Sequence, residues 1–241
     1  GALRHLPTIL LSKKLTALDQ WMSRELHLCV SGHRFIIDCR AIDAMLAEPS
    51  FTFGLIREIY IQDCYRRFPH LESRCRTVID LGGNRGIFTL LAAQFAERVI
   101  CVEAQSVYRS ALLHNAKRNG LENIELVNAY IGGEAALPRG NVPGMTVEEI
   151  MLKFDMETVD FCKMDIEGSE FELFQTITCL PRIRYLAAEI HPQFGDPQRI
   201  IEVLREHDFI VWLRDSDLAP LDAPVRDRLF YLYASNSRMT K

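Results

Sequence analysis

The stretch VIDLGGNRGIFTL, Val78 to Leu90, carries the residue types of a nucleotide-cofactor turn. An apolar run ends on Asp80, then Gly82, Gly83 and Gly86 follow, and helical spacing begins at Ile87. A glycine bend between strand and helix presents backbone N–H groups to a ligand. Gly82 would free the turn and Gly86 would let the helix start close to the strand. A dinucleotide fingerprint needs a bare middle position, because a pyrophosphate lies against the backbone there. This sequence has Asn84 at that place, and its amide both donates and accepts. The expected cofactor therefore has a short amino-acid arm in place of a diphosphate. Asp80, an acceptor when ionised, is read as the partner of that arm's ammonium, directly or through water.

Glu103 ends the next apolar run, RVICVEA, 21 residues after Gly82 (103 − 82). That matches the roughly 20 residues that separate a glycine turn from a ribose-gripping acid. Its two oxygens can accept both ribose hydroxyls. Asn128, at the end of a third apolar run, offers an amide to an adenine edge, and Ala104 and Ala129 are counted beside these residues as cofactor-binding. Arm, ribose and base together describe S-adenosylmethionine, with S-adenosylhomocysteine as its product.

A second constellation follows in CKMDIEGSEFELF, where Lys163, Asp165, Glu167, Gly168 and Glu170 crowd the end of another apolar run. Methyl transfer to a hydroxyl needs a base within hydrogen-bond reach. Asp165, an acid directly after an apolar strand, is a candidate for the active site. Strand alternation sets Lys163 on the same face, where it could keep Asp165 ionised or place the substrate. Ser169 and Glu170 read as ordinary helix-start residues. In AAEIHPQF, Glu189 and His191 alternate onto one face, and His191 is the first choice for general base because imidazole titrates near working pH. Asp165, Glu189 and His191 are also acceptable ligands for a divalent metal, but no spacing demands one, so none is expected.

These residues need a scaffold that brings strand ends together. From Arg76 onward apolar strands alternate with helices: strands at 77–81, 99–103, 124–128, 159–165 and 185–190, helices at 87–96, 107–119, 170–177 and 197–207. Such alternation predicts an α/β fold with a mostly parallel sheet covered on both faces. Strands at 209–213 and 229–233 follow one another with only the Pro-rich DLAPLDAPV between them, which predicts an antiparallel C-terminal hairpin. Residues 1–70 read as a cap on the substrate side. SKKLTALDQWMSREL is a helix, LHLCVSGHRFIID a hairpin, and FGLIREIYIQDCYRRF an amphipathic helix that stops before Pro69. Its Tyr60 and Tyr65 read as core aromatics with a polar tip. Residues 71–241 form the catalytic domain in this division.

The bulk numbers exclude several classes. The 241 residues carry a net charge of -4, with 48% hydrophobic and 25% charged residues, as in an ordinary globular protein. That charge argues against nucleic acid as a partner. No apolar run approaches the roughly 20 residues of a membrane-spanning helix. Leu6–Leu11 is too short for a signal peptide, although a first residue of Gly1 rather than Met leaves room for a leader ahead of it. Seven cysteines form no C-x-x-C pair, and Cys101 and Cys162 fall in apolar runs as buried thiols, which predicts a reducing, cytoplasmic location. Oligomeric state is not legible.

VIDLGGNRGIFTLLAAQFAERVICVEA, IELVNAYIG and CKMDIEGSEFELF resemble the FkbM family of S-adenosylmethionine-dependent methyltransferases, as does FTFGLIREIYIQDCY. The family's first motif has alanine where Gly83 stands here. Its Lys-x-Asp-x-Glu-Gly-x-Glu pattern is matched by Lys163, Asp165, Glu167, Gly168 and Glu170. The resemblance implies a Rossmann-like, seven-stranded class I sheet and methyl transfer to an oxygen of a sugar, polyketide or other secondary metabolite. It also implies a cofactor contact for Glu58 and Tyr65. Two rival classes are an NAD(P)-dependent oxidoreductase, which should carry G-x-G-x-x-G, and a cofactor-binding module without catalysis.

Overall fold

A computed structural model of the protein describes residues 16–30, 32–46, 51–69, 71, 74–132 and 140–240. The segment Leu6–Leu11 and Leu15 lie outside them. In chain order the elements begin with α1 (Thr16–Trp21), β1 (Glu25–Val30), β2 (His33–Asp38), α2 (Cys39–Leu46) and α3 (Thr52–Ile56), the last continuing as a π-helical stretch, Arg57–Ile61. Then come β3 (Cys75–Leu81), α4 (Ile87–Ala92), β4 (Ala96–Val102), α5 (Tyr108–Arg118), β5 (Ile124–Val127), β6 (Tyr130–Ile131) and β7 (Gly144–Met145). The chain closes with α6 (Val147–Lys153), β8 (Val159–Met164), α7 (Glu170–Thr176), β9 (Ile183–Ile190), α8 (Pro197–Glu206), β10 (Phe209–Asp215), β11 (Pro220–Leu221) and β12 (Phe230–Asn236).

Among the described residues the central sheet has eight strands in the order β11-β10-β12-β9-β8-β3-β4-β5. The pairs β3–β4, β4–β5, β3–β8 and β8–β9 are parallel, whereas β12 runs antiparallel to both β9 and β10. The expected mixed α/β sheet with its C-terminal hairpin is thus present. The resemblance implied seven strands, and the eighth is the two-residue β11, whose Pro220 and Leu221 pair with Arg214 and Leu213 at the edge. A proline at an outer edge costs no ladder bond. From β3 the chain winds outward through β4 and β5, then returns to place β8 on the other side of β3. The crevice at that reversal is where an open α/β sheet binds its ligand.

Both faces of the sheet are covered. On one, α6, α7 and α8 pack Ile150, Phe174 and Leu204 against Leu81, Ile100 and Met164. On the other, Phe35, Ile37, Ile42 and Ile56 from the N-terminal elements join Ile87, Phe88, Val99 and Phe161 in one core. The described part of residues 1–70 therefore shares its burial with the sheet. Asn115 on α5 and Asn119 at its C-cap tie the hairpin down: Asp38 N–H donates to Asn115 Oδ1 (2.9 Å) and Ile36 N–H to Asn119 Oδ1 (2.7 Å). These amides complete the outer edge of β2, which would otherwise bury unpaired backbone groups.

Two expectations need correction. The helix read through Phe68 ends at Ile61, and the chain turns at Asp63 with φ 54. The following aromatic residues win over helical periodicity, since the Tyr65 ring packs edge-on against Phe88 and Tyr231. The sequence reading also passed over α6. Its start is written as a capping box, Thr146 to Glu149: the Glu149 N–H donates to the Thr146 hydroxyl and the Thr146 N–H to the Glu149 carboxylate.

Candidate cofactor cleft and carboxylate cluster

Four segments leave the C-terminal ends of β3, β4, β5 and β8 and enclose a cleft of about 230 Å³. Gly82 and Asn84 line it from the first, Glu103 and Ala104 from the second, Ala129 and Tyr130 from the third, Asp165 and Glu167 from the fourth. Gly82 has φ +76, and a Cβ there would fall 1.7 Å from the Asp165 carbonyl oxygen. The turn after β3 can therefore lie against the end of β8 only without a side chain. Asn84 is itself left-handed, at φ 48, a conformation that asparagine tolerates better than most residues.

Glu103 sits at the centre of this cleft with a fixed carboxylate. The Asn84 N–H donates to Oε2 and the Gln105 N–H to Oε1, both at 2.7 Å. A carboxylate has about four acceptor positions, so each oxygen keeps one for an incoming hydroxyl. Two neighbouring hydroxyls held side by side are what a ribose requires, and the site fits S-adenosylmethionine on this observation. Burial pushes the Glu103 carboxyl up from its ordinary 4.5, against the two amides and Lys163, which pull it down. Acceptor strength is complete only when the group is ionised. We expect the affinity for S-adenosylhomocysteine to fall on acidification at a higher pH than a free glutamate would set. Calorimetric titrations from pH 8 to pH 5 check this, and Glu103→Gln should flatten the profile.

Several expected contacts are displaced. Asp80 is fully buried and does not line the cleft. Thr89 donates to its Oδ2 (2.5 Å), and Lys163 Nζ lies 3.1 Å from its Oδ1, so the ammonium role read for Asp80 is not available. Lys163 is buried too, donating to the Gly82 carbonyl at 2.6 Å and lying 3.8 Å from Asp165 Oδ2. It is a positioning residue that braces the glycine turn, not one that reaches substrate. Burial would lower its pKa, but Asp80 and Asp165 outweigh that and raise it, keeping it charged. Gly86, at φ +78, faces α5, where a Cβ would meet Leu112 at 2.5 Å; it serves helix packing rather than the ligand. The Asn84 side-chain oxygen accepts from the Arg85 N–H (2.7 Å), while its backbone N–H holds Glu103. Asn128 spends its amide on the carbonyls of Glu103 (2.9 Å) and Ala104 (2.8 Å) and so fixes the acidic loop. A narrower apolar pocket beside it, lined by Cys101, Tyr108, Leu112 and Leu126, lies on the far side of Glu103.

A cluster of acids adjoins the Asp165 end. The Tyr65 hydroxyl reaches both Asp165 Oδ2 (3.1 Å) and Glu189 Oε2 (3.3 Å). Burial, then the charges of Asp165 and Glu58, push the Glu189 carboxyl well up, only partly offset by His191 and Lys163. His191 is not placed as a base for the cleft. Its Nδ1 is 2.7 Å from Glu170 Oε1, and its Nε2 faces Glu167 and Glu189. Burial lowers its pKa, but the Glu170 hydrogen bond and the surrounding acids prevail and raise it to about 9. Such an imidazole is already protonated at neutral pH. Glu170, read from sequence as a helix-start acid, is fully buried as the partner of His191, and Ser169 makes no side-chain cap.

A family model described as the methyltransferase FkbM domain matches residues 80–211, more than half of the chain. The chain belongs to the FkbM methyltransferase family. Membership of a methyltransferase family sets the oxidoreductase alternative aside. The ribosomal protein L11 methyltransferase of Alteromonas mediterranea is 33% identical over 99 residues, covering 41% of this chain and 33% of that protein. The chain thus spans about a third of the length of that curated relative. Among solved structures, SMU.1697c from Streptococcus mutans in complex with SAH aligns with TM-score 0.48 and 14% identity, over 68% of this chain and 90% of that one. An rRNA methylase from Streptococcus thermophilus aligns with TM-score 0.47 and 16% identity, over 69% and 89%.

The matched span of the FkbM domain starts at Asp80 and so leaves out Tyr65, which is buried in the core as its aromatic character predicts. Its position 5.3 Å from Lys163 Nζ, across the ring face, and its bonds to two acids are tertiary facts. The resemblance pointed Tyr65 toward the cofactor, but which acids its hydroxyl meets is set by the fold alone. Glu170 was within reach, since it repeats the acid pattern of Asp165 and Glu167.

Proposed function

We propose that this FkbM methyltransferase methylates a hydroxyl of a small acceptor, such as a sugar, a glycoside or another metabolite. The observation that carries this reading is the Asp165–Glu189 pair sharing the Tyr65 hydroxyl at the edge of the cleft. S-adenosylmethionine, when bound, supplies a methyl group already activated by a sulfonium. The protein's own share is to align the acceptor and to take its proton. Glu103 would hold the ribose hydroxyls and the Gly82 turn the amino-acid end. Asp165, which lines the cleft, meets the acceptor hydroxyl, and the proton passes to the carboxylate pair, where crowding of two like charges favours its capture.

A base is needed for oxygen and not for an amine that arrives neutral, which favours hydroxyl acceptors. The cleft is lined by acids at Glu103, Asp165 and Glu167 and the chain is net negative, which supports an uncharged acceptor over a nucleic acid. Among the described residues no helix is long and apolar enough to cross a membrane. Buried thiols at six of the seven cysteines fit the reducing cytoplasmic setting that belongs to this reading.

Asp165→Asn keeps the shape and removes the charge. Turnover should fall by about 10²–10⁴-fold, the usual share of a general base, while the affinity for S-adenosylhomocysteine stays within a few-fold. Incubation of a cell extract with the enzyme and deuterated S-adenosylmethionine, read by mass spectrometry, would name the methylated atom. A label found on nitrogen or carbon, or full turnover in Asp165→Asn, would defeat the proposal.

A further inference from the structure

At the Asp165 end of the cofactor cleft, Asp165, Glu167 and His191 each bring one ligand atom to within 4.8 Å of the others. They come from the end of β8, the turn after it and the residue after β9, so only the sheet brings them together. Acids alone at a strand end would be an ordinary solvated cluster. His191 makes this one different. Its side chain is 7% exposed, and Glu170, with a side chain at 0%, fixes its Nδ1 through Oε1 at 2.7 Å. The Nε2 makes no hydrogen bond among the described residues and is aimed at the acids, 3.5 Å from Glu167 Oε2 and 3.6 Å from Glu189 Oε1. A carboxylate on one imidazole nitrogen, with the other turned toward converging carboxylates, is how proteins orient a metal-binding histidine.

The charge balance agrees. Asp165, Glu167, Glu170 and Glu189 surround His191, and Lys163, which lies 3.8 Å from Asp165, is already committed to Asp80 and the glycine turn. Glu170 Oε2 is buried with no hydrogen-bond partner among the described residues, so its charge acts on the imidazole undiluted.

We propose that Asp165, Glu167 and His191 form a binding site for a first-row divalent cation beside the cofactor cleft. Two carboxylates and an imidazole suit Mn²⁺ or Zn²⁺, whereas Mg²⁺ favours oxygen donors throughout. Three protein ligands leave coordination positions open on the cleft side. Resting on the hydroxyl-acceptor reading above, the cation there would hold the acceptor oxygen and make its hydroxyl more acidic. Asp165 would then serve as ligand, and Glu189 would keep the proton-accepting role. A proton on Nε2 is the competing occupant that the cation displaces.

The test uses the full chain, stripped with chelator and titrated with Mn²⁺, following loss of the free-ion electron paramagnetic resonance signal. One Mn²⁺ per chain is expected. Glu167→Gln should weaken it at least tenfold, and it is a safe substitution because that side chain is 83% exposed. Glu170→Gln should cost about 10–100-fold by freeing the imidazole, and His191→Ala should abolish the site. The affinity for S-adenosylhomocysteine reports that each variant is folded. Wild-type binding no tighter than that of Glu167→Gln would overturn the site. Full methyl transfer in excess chelator would overturn its catalytic role and leave the hydroxyl reading intact. Mn²⁺ binding without transfer to any hydroxyl would do the reverse.

Discussion

Glu103→Ala is expected to raise the dissociation constant for S-adenosylhomocysteine by about 10²-fold or more. A hydrogen bond to a charged group is worth roughly 1.5–3 kcal/mol, and the carboxylate offers one free position on each oxygen. Losing two such bonds costs about 3 kcal/mol at the low end, and each ~1.4 kcal/mol is a factor of ten. The substitution does further harm, because the Asn84 and Gln105 amides lose the acceptor that now holds both at 2.7 Å. The glycine turn and the acidic loop would then move apart. Isothermal titration of the variant measures the loss. Affinity within threefold of wild type would mean that the ribose is gripped elsewhere and that the cleft is wrongly oriented.

Lys163→Met should be the most costly single change to stability. The ammonium sits 3.1 Å from the buried Asp80 and supports the Leu81 and Gly82 carbonyls at 3.4 and 2.6 Å. Methionine fills the space but leaves an uncompensated carboxylate in the core, a situation that costs about 3–5 kcal/mol. Urea unfolding checks it through the midpoint. Adding Asp80→Asn to Lys163→Met removes the stranded charge and should return a large part of the loss, which simple mispacking would not predict. The pH sense follows from the raised lysine. Its contribution is complete below the unfolded value of 10.5 and declines only in strong alkali, as pH passes through the higher folded value. An unchanged midpoint in Lys163→Met would show that Asp80 is neutral in the fold.

Much of this protein was written locally. Seven runs rich in Val, Ile, Phe and Tyr, punctuated by glycine turns and short amphipathic segments, specify strands and helices because side-chain periodicity and propensity act over a few residues. That the glycine turn and Glu103 would share one cleft was legible for the same reason: both stand at the ends of adjacent strands, next to their own motifs. Asp165 was legible because a lone acid ending an apolar strand needs a reason to be there.

Roles that depend on pairing were not legible. Asp80 looked like a ligand and is a core anion, because Lys163, 83 residues later (163 − 80), folds beside it. His191 looked like a base, and only burial against Glu170 shows that its outward nitrogen serves a carboxylate cluster. Tyr65 read as a core aromatic with a polar tip and is one, but only the fold brings that tip to two acids. Sequence determines which segments become strands and where their polar ends lie. Tertiary structure decides which of those ends meet, and the low-dielectric contact between them sets who is charged, who is paired and who is left to react.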